Sequence, residues 1–144
     1  MMFMCFSNVT PGAHTIGTSH CQNIKDRIYT NACPTRVDPF LPQLFYESLM
    51  KQCPSISSNN AIDMEYVSPG KFDVAYFQTL ADHRGLHTSD QDYVMNPKTW
   101  VYVYDNLQAE QFSANFAQAM VALTNVEVLT GTAGQIRKHC RFVN

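Results

Sequence analysis

The apolar residues of the segment AEQFSANFAQAMVALTN recur every three or four positions, and this spacing constrains the fold more than any other feature of the chain. The recurring residues are Phe112, Phe116, Met120 and Leu123. Such spacing places them on one face of an α-helix, and the alanines between them have high helix propensity. The pattern predicts a helix over 108–123 with one face turned toward a core.

Two earlier segments carry similar patterns. In FLPQLFYESLMKQCP, apolar residues lie at helical spacing between Pro42, which a first turn tolerates, and Pro54, which ends a helix. We therefore expect a helix over 42–52.

In KFDVAYFQTLADHRG, the residues Phe72, Tyr76 and Leu80 lie four apart, and a glycine follows at position 85. This predicts a helix over 71–82 with Gly85 as its C-terminal cap. The run NPKTWVYVYDNL is compatible with a strand or a helix, and its Asn-Pro start favours the helix. No repeat and no long linker interrupts the chain, so the expected fold is a single, mainly α domain.

Charge and composition exclude several classes of function. The chain has 144 residues, 45% of them hydrophobic, which is enough to bury one core. Its net charge of −2 argues against nucleic-acid binding and against binding an anionic membrane. No apolar run reaches the length of a membrane span, and MMFMCFSNV lacks the pattern of a signal peptide.

The stretch GAHTIGTSHC, residues 12–21, concentrates possible metal ligands. His14, His20 and Cys21 together suggest zinc, but a structural zinc site usually uses two close ligand pairs, and no CxxC pair is present. A single ligand histidine would suggest haem, and a packed or capping histidine would suggest no site at all. From the stretch alone, a packed or capping histidine is the leading interpretation.

Five stretches in order resemble the secreted plant haem peroxidases, class III of the plant, fungal and bacterial superfamily. They are GAHTIGTSHC, VSPGKFDVAYFQTL, RGLHTSDQ, FSANFAQAM and VLTGTAGQIRKHCRFVN. The resemblance implies that residues 12–144 form the C-terminal, proximal half of such a helical domain, preceded by an atypical segment over 1–11. In that segment, Pro11 stands where the family usually has a serine.

The resemblance implies that His14 is the proximal ligand of the iron of haem b, with Asp90 accepting the proton of its other ring nitrogen. Such an acceptor fixes the tautomer and makes the ring a stronger electron donor. An alternative from the residues alone is that Asp90 is the N-cap of a short helix QDYVM. If the resemblance holds, His14 approaches Asp90 and faces an exposed apolar surface.

The family also binds calcium on the proximal side through hard oxygen ligands. The matching positions here are Thr15, Glu65, Ser68, the Lys71 carbonyl and Asp73. Glu65 departs from the aspartate of the family pattern, and its longer side chain is expected to shift or weaken the site. Without the resemblance, a solvated loop is the better interpretation of these residues.

The resemblance also implies a pairing for some of the five cysteines. Cys21 is expected to form a disulfide with Cys53, and Cys140 to lack a partner because its usual partner lies upstream of the proximal motif. Cys5 and Cys33 match no pairing position. The remaining histidines, interpreted as surface or packing residues, are His20, His83, His87 and His139.

The implied function is haem-dependent oxidation of small phenolic donors by hydrogen peroxide, in the response to oxidative stress. The thirteen residues before His14 contain no histidine or arginine to serve as the distal acid-base pair, so we expect a truncated enzyme. The alternative is a non-catalytic remnant or interaction module. The family is extracellular or vacuolar, and the sequon at Asn8 fits that route, although no signal peptide is visible.

Overall fold

A computed structural model describes residues 10–29 and 38–144. In these ranges six α-helices account for most of the regular structure. They are α1 (Cys21–Ile28), α2 (Gln43–Gln52), α3 (Ala75–Ala81), α4 (Thr88–Met95), α5 (Trp100–Asp105) and α6 (Ala109–Thr124). Two strands, β1 (Thr18–His20) and β2 (Ala61–Asp63), and 3₁₀ turns over Thr10–Thr15 and Gly131–Ala133 complete it. The predicted mainly α fold is confirmed.

Two helix predictions agree with the structure to within one residue at each end. The pattern over 42–52 corresponds to α2, and Pro42 takes the N-cap position. The pattern over 108–123 corresponds to α6. Phe112 and Phe116 of its predicted face pack in the core, whereas Met120 and Leu123 are exposed, so the core-facing prediction is wrong for the second half of the helix. The ambiguous aromatic run contains α5, so its helical interpretation is also confirmed.

The prediction over 71–82 is wrong at its start and agrees to within one residue at its end. Helix α3 begins only at Ala75, whose N–H donates to the Asp73 carboxylate at 2.9 Å, and residues 71–74 are not helical. Phe72 therefore lies before the helix, where its ring packs 5.1 Å from that of Phe112.

Gly85 does not cap α3. The helix ends at Ala81, and His83 adopts the left-handed conformation after it with φ of 59°. The glycine nevertheless fits a close contact at position 85, since a β-carbon there would lie 2.6 Å from Leu80 Cδ2 and would displace that buried side chain.

Helix α3 is the centre of the core. It contacts the first 3₁₀ turn, α4 and α5, while α6 packs on the same turn. Tyr76, Phe77 and Leu80 are fully buried on α3, and Phe112 joins them from α6. The rings of Phe77 and Phe112 meet edge to face at 5.4 Å, an arrangement that aromatic pairs favour.

A disulfide between Cys21 and Cys53 joins the start of α1 to the end of α2, with a Cα–Cα distance of 5.7 Å. Both cysteines are buried, and β1 pairs antiparallel with β2 beside them. This confirms the pairing that the resemblance implied. Cys140 is exposed and unpaired within the described ranges, whereas Cys5 and Cys33 lie outside them.

The last part of the chain packs little. Residues 127–144 are all exposed, including Ile136 and Phe142. Over the residues that the structure describes, no helix combines the length and apolar character that crossing a membrane requires.

Removing the disulfide should destabilise the domain without changing its fold. It closes a loop with a sequence separation of 32, so replacing both Cys21 and Cys53 with alanine should lower the free energy of unfolding by about 3 to 4 kcal/mol. Chemical denaturation followed by far-UV circular dichroism measures the difference. Cys140→Ala, at an exposed position, is the matched control and should change stability by less than about 0.5 kcal/mol. Equal stability of the double variant and the parent chain would contradict this account.

Candidate functional site

The first 3₁₀ turn carries His14 and is held by a close contact at Gly12. A β-carbon at Gly12 would lie 2.6 Å from Phe112 Cε2 and 3.0 Å from Phe77 Cε2. The missing side chain lets the turn sit directly on these rings, and this fixes the position of His14 two residues later.

His14 and Asp90 are brought together although they lie 76 residues apart in the chain. His14 Nδ1 lies 2.6 Å from Asp90 Oδ2, so the ring donates to the carboxylate. Asp90 is buried, whereas the His14 side chain is 37% exposed. No described residue bonds to the other ring nitrogen, Nε2, which leaves its lone pair available when the ring is neutral.

The N-cap interpretation of Asp90 is wrong. Helix α4 begins at Thr88, and His87 takes the N-cap position without a side-chain bond. Asp90 is the third helical residue and turns inward to His14. Its place in the first turn still favours a negative charge, because unpaired N–H groups gather at a helix N-terminus.

Tyr76 is a site residue that the sequence interpretation missed. Its hydroxyl donates to Asp90 Oδ2, the same oxygen that His14 contacts, and its ring lies edge-on to the imidazole at a centroid distance of 5.6 Å. Tyr76 appeared only as an apolar position on the buried face of a helix. A tyrosine at a core position is itself a signal, because a buried hydroxyl needs a partner.

The surroundings of Asp90 keep its carboxyl ionised. Burial alone would raise its pKa, but hydrogen bonds from His14 and Tyr76, together with the positive potential of His14 and His87, hold the pKa below its ordinary value. Burial and the neighbouring carboxylate both raise the pKa of Tyr76, so its hydroxyl remains protonated and continues to donate. The result is one buried negative charge with two fixed donors.

The other histidines form no metal site. His87 is half-buried against His14, at a ring distance of 5.9 Å, and burial lowers its pKa. His83 and His87 have the HxxxH spacing of some zinc sites, but His83 contacts Gln91 instead.

His20 and Cys21, the other candidate zinc ligands, are also engaged elsewhere. His20 bonds the Asn59 carbonyl. Cys21 is oxidised in the disulfide, and the described ranges hold no cluster of three or more His, Cys, Asp or Glu side chains able to bind a metal.

His14 lines an open cleft of about 480 Å³. The other lining residues are Pro11, Ser89, Asp90, Asp92, Tyr93, Asn96 and Thr99. The expected exposure of His14 is therefore present, but the surface of this cleft is polar as well as apolar, not apolar alone as expected. Helix α4 and the turn after it supply mainly polar side chains here.

The oxygen ligands predicted for calcium converge next to the same turn. Thr15 Oγ1 lies 3.1 Å from the Lys71 carbonyl oxygen and 3.3 Å from Asp73 Oδ1. Ser68 Oγ lies 2.8 Å from Asp73 Oδ2 and 3.3 Å from Glu65 Oε2. These contacts bring together oxygens from all the predicted positions.

Glu65 is almost completely buried, with 1% exposure. Its carboxylate accepts the N–H groups of Val67 and Ser68. No described basic side chain forms an ion pair with Glu65 or Asp73. A carboxylate buried without a cationic side chain, as Glu65 is, costs free energy, and together with the half-buried Asp73 it fits a hard cation held by oxygen.

Comparisons with known proteins agree with the resemblance. The family model described as peroxidase matches residues 9–109. Peroxidase 1 of Oryza sativa subsp. japonica is 39% identical over 94% of this chain and 44% of its own length. Peroxidase 12 of Arabidopsis thaliana is 38% identical over 92% of this chain and 36% of its own length. Peroxidase 5 of Vitis vinifera is 40% identical over 92% of this chain and 41% of its own length. The chain thus spans less than half of the length of these relatives.

Proposed function

Because the chain belongs to the peroxidase family, in its plant class III branch, we propose that residues 12–144 hold haem b through His14 as the proximal half of a haem peroxidase. The observation that carries this proposal is the bond between His14 Nδ1 and Asp90, which leaves Nε2 free for iron. For the whole protein we propose oxidation of small phenolic donors by hydrogen peroxide, and an extracellular or vacuolar location.

Haem bound in such a protein supplies the redox chemistry, in which hydrogen peroxide is reduced to water and donors are oxidised one electron at a time. The chain's own contribution is at the imidazole. Asp90 holds the proton on Nδ1 and keeps the ring in one orientation, so that Nε2 presents its lone pair. Tyr76 shares the same carboxylate oxygen and limits how strongly Asp90 withdraws that proton.

We further propose that Thr15, Glu65, Ser68, the Lys71 carbonyl and Asp73 hold calcium. The convergence of their oxygens and the burial of Glu65 support this proposal. Thr15 follows His14 directly in the chain, so a cation at these oxygens would also fix the backbone of the 3₁₀ turn that carries the imidazole.

The haem proposal predicts a specific loss on removal of one imidazole. Titration of the 144-residue chain with haemin should give a Soret band, and His14→Ala should abolish that saturable change. Asp90→Asn should weaken binding by about 10- to 100-fold, because residues that orient a ligand histidine typically contribute that much. His139→Ala, which removes an exposed histidine outside the site, should bind haemin like the parent chain. Equal binding by His14→Ala would contradict the assignment, and no binding by the parent chain would favour an interaction module.

The same complex tests catalysis by these residues. The resemblance places no residue of 1–144 on the distal side of haem, and acid-base participation there typically contributes on the order of 10²- to 10⁴-fold in rate. Guaiacol oxidation by the reconstituted chain should therefore be close to that of free haem. A rate near that of a full-length relative would show that a residue within 1–144 acts as the acid-base group.

The calcium proposal predicts stabilisation that depends on one carboxylate. Calcium at 100 times its dissociation constant should raise the free energy of unfolding by about 2.7 kcal/mol. Asp73→Asn should remove most of this increment, whereas Lys71→Ala, which keeps the backbone carbonyl, should retain it. Thermal unfolding with and without calcium measures the effect. An equal increment in Asp73→Asn, or an equal effect of magnesium, would count against the site.

A further inference from the structure

A second cavity, of about 460 Å³, shares no lining residue with the cleft at His14. It lies between α2, β2 and the segment 64–69. Its apolar walls include Phe45, Leu49, Ile62, Met64 and Leu86. Tyr66 lies at its edge, with its ring 5.9 Å from that of Phe45. The cavity is thus large enough for a small organic molecule and offers two aromatic rings.

Arg84 also lines this cavity, and its positive charge has no ion-pair partner among the described residues. The guanidinium carbon lies 4.9 Å from the centre of the Tyr66 ring. Its Nε is buried and donates to no acceptor. A buried guanidinium N–H without an acceptor costs free energy, so a ligand oxygen that accepts a hydrogen bond from this side chain would stabilise it.

No carboxylate of the described residues supplies that partner. The ion pairs among the described residues involve His14 and Arg27, not Arg84. Residues 1–9 and 30–37 contain no Asp or Glu. Glu65 also lines the cavity, but its oxygens accept the N–H groups of Val67 and Ser68. The half-buried guanidinium thus contacts the hydroxyl and the ring of Tyr66 but no carboxylate, so it can still bind an anion.

We propose that this cavity binds a small aromatic carboxylic acid, with the carboxylate on the Arg84 guanidinium and the ring between Phe45 and the apolar wall. A planar carboxylate suits the fork of N–H donors that arginine presents. Tyr66 holds one face of the guanidinium, and its hydroxyl donates to Asp82 at 3.3 Å, which fixes that ring at the entrance. The apolar walls favour an aromatic body over a sugar or an inorganic anion.

The choice of a monocarboxylic acid follows from the remaining charges. Asp63 also lines the cavity, and no described basic side chain pairs with it. A second carboxylate on the ligand would therefore meet a negative wall, whereas a single one can lie on Arg84 alone.

The test uses cinnamate and its neutral analogue cinnamide, which have nearly the same shape. Calorimetric titration of the haem-free, 144-residue chain should give a dissociation constant for cinnamate on the order of 0.1 to 1 mM. Cinnamide should bind at least about 10-fold more weakly, because it cannot form the ionic contact. Both measurements are made without haem, so their outcome is independent of the proposed peroxidase function.

Variants locate the contact. Arg84→Gln should weaken cinnamate binding by at least about 10-fold, and Arg84→Lys should lie between that variant and the parent chain. Arg137→Gln, at an exposed arginine outside the cavity, is the matched control and should bind like the parent chain. Circular dichroism confirms that each variant is folded. If Arg84→Gln does not fold, the comparison of cinnamate with cinnamide on the parent chain decides.

Three results would overturn the proposal. They are the absence of saturable cinnamate binding, equal affinity for cinnamide, and unchanged affinity in a folded Arg84→Gln. A short peptide ending in a free phenylalanine carboxylate serves as a further arm. If it binds at least about 10-fold more tightly than cinnamate, the occupant is a polypeptide end and the small-acid proposal is wrong.

Discussion

The buried carboxylate of Asp90 is the interaction on which the site depends. It accepts from His14 on the first 3₁₀ turn and from Tyr76 on α3, while it is itself part of α4. Three separate elements therefore meet at one ionised group. An unpaired charge at this depth would be costly, so each donor both stabilises the packing and fixes the imidazole. The same hydrogen bonds thus hold the three elements together and orient the candidate ligand His14.

The two candidate sites are coupled through adjacent residues. His14 turns toward Asp90, and Thr15 turns toward Lys71 and Asp73 on the other side of the same backbone. The turn can pass between these partners only because Gly12 lets it sit against the aromatic core. Binding of a cation by the oxygen ligands and binding of haem iron by the imidazole would thus depend on the same few residues of the chain.

Apolar spacing predicted the extents of α2 and α6 well because burial is periodic along both helices, but it did not predict that Met120 and Leu123 of the proposed core face are exposed. It misplaced the start of α3, because the Asp73 carboxylate accepts the Ala75 N–H and the helix begins only at that residue. The resemblance, rather than spacing, supplied the pairing of His14 with Asp90, which are 76 residues apart. No pattern in the sequence could place the Tyr76 hydroxyl on the same carboxylate oxygen, since that contact depends on how α3 and α4 cross. The cavity at Arg84 was not predicted either, since it depends on how α2, β2 and the segment 64–69 pack together.

The tautomer of His14 in the haem-free chain tests the central claim most directly. Nitrogen-15 NMR, at a pH where the ring is neutral, distinguishes a proton on Nδ1 from one on Nε2. This account predicts the proton on Nδ1, with a low-field proton resonance for the Nδ1–H group. That resonance should be lost in Asp90→Asn. It should move further downfield in Tyr76→Phe, because Asp90 there loses its competing donor. A proton on Nε2, or a resonance unchanged in Asp90→Asn, would contradict the account.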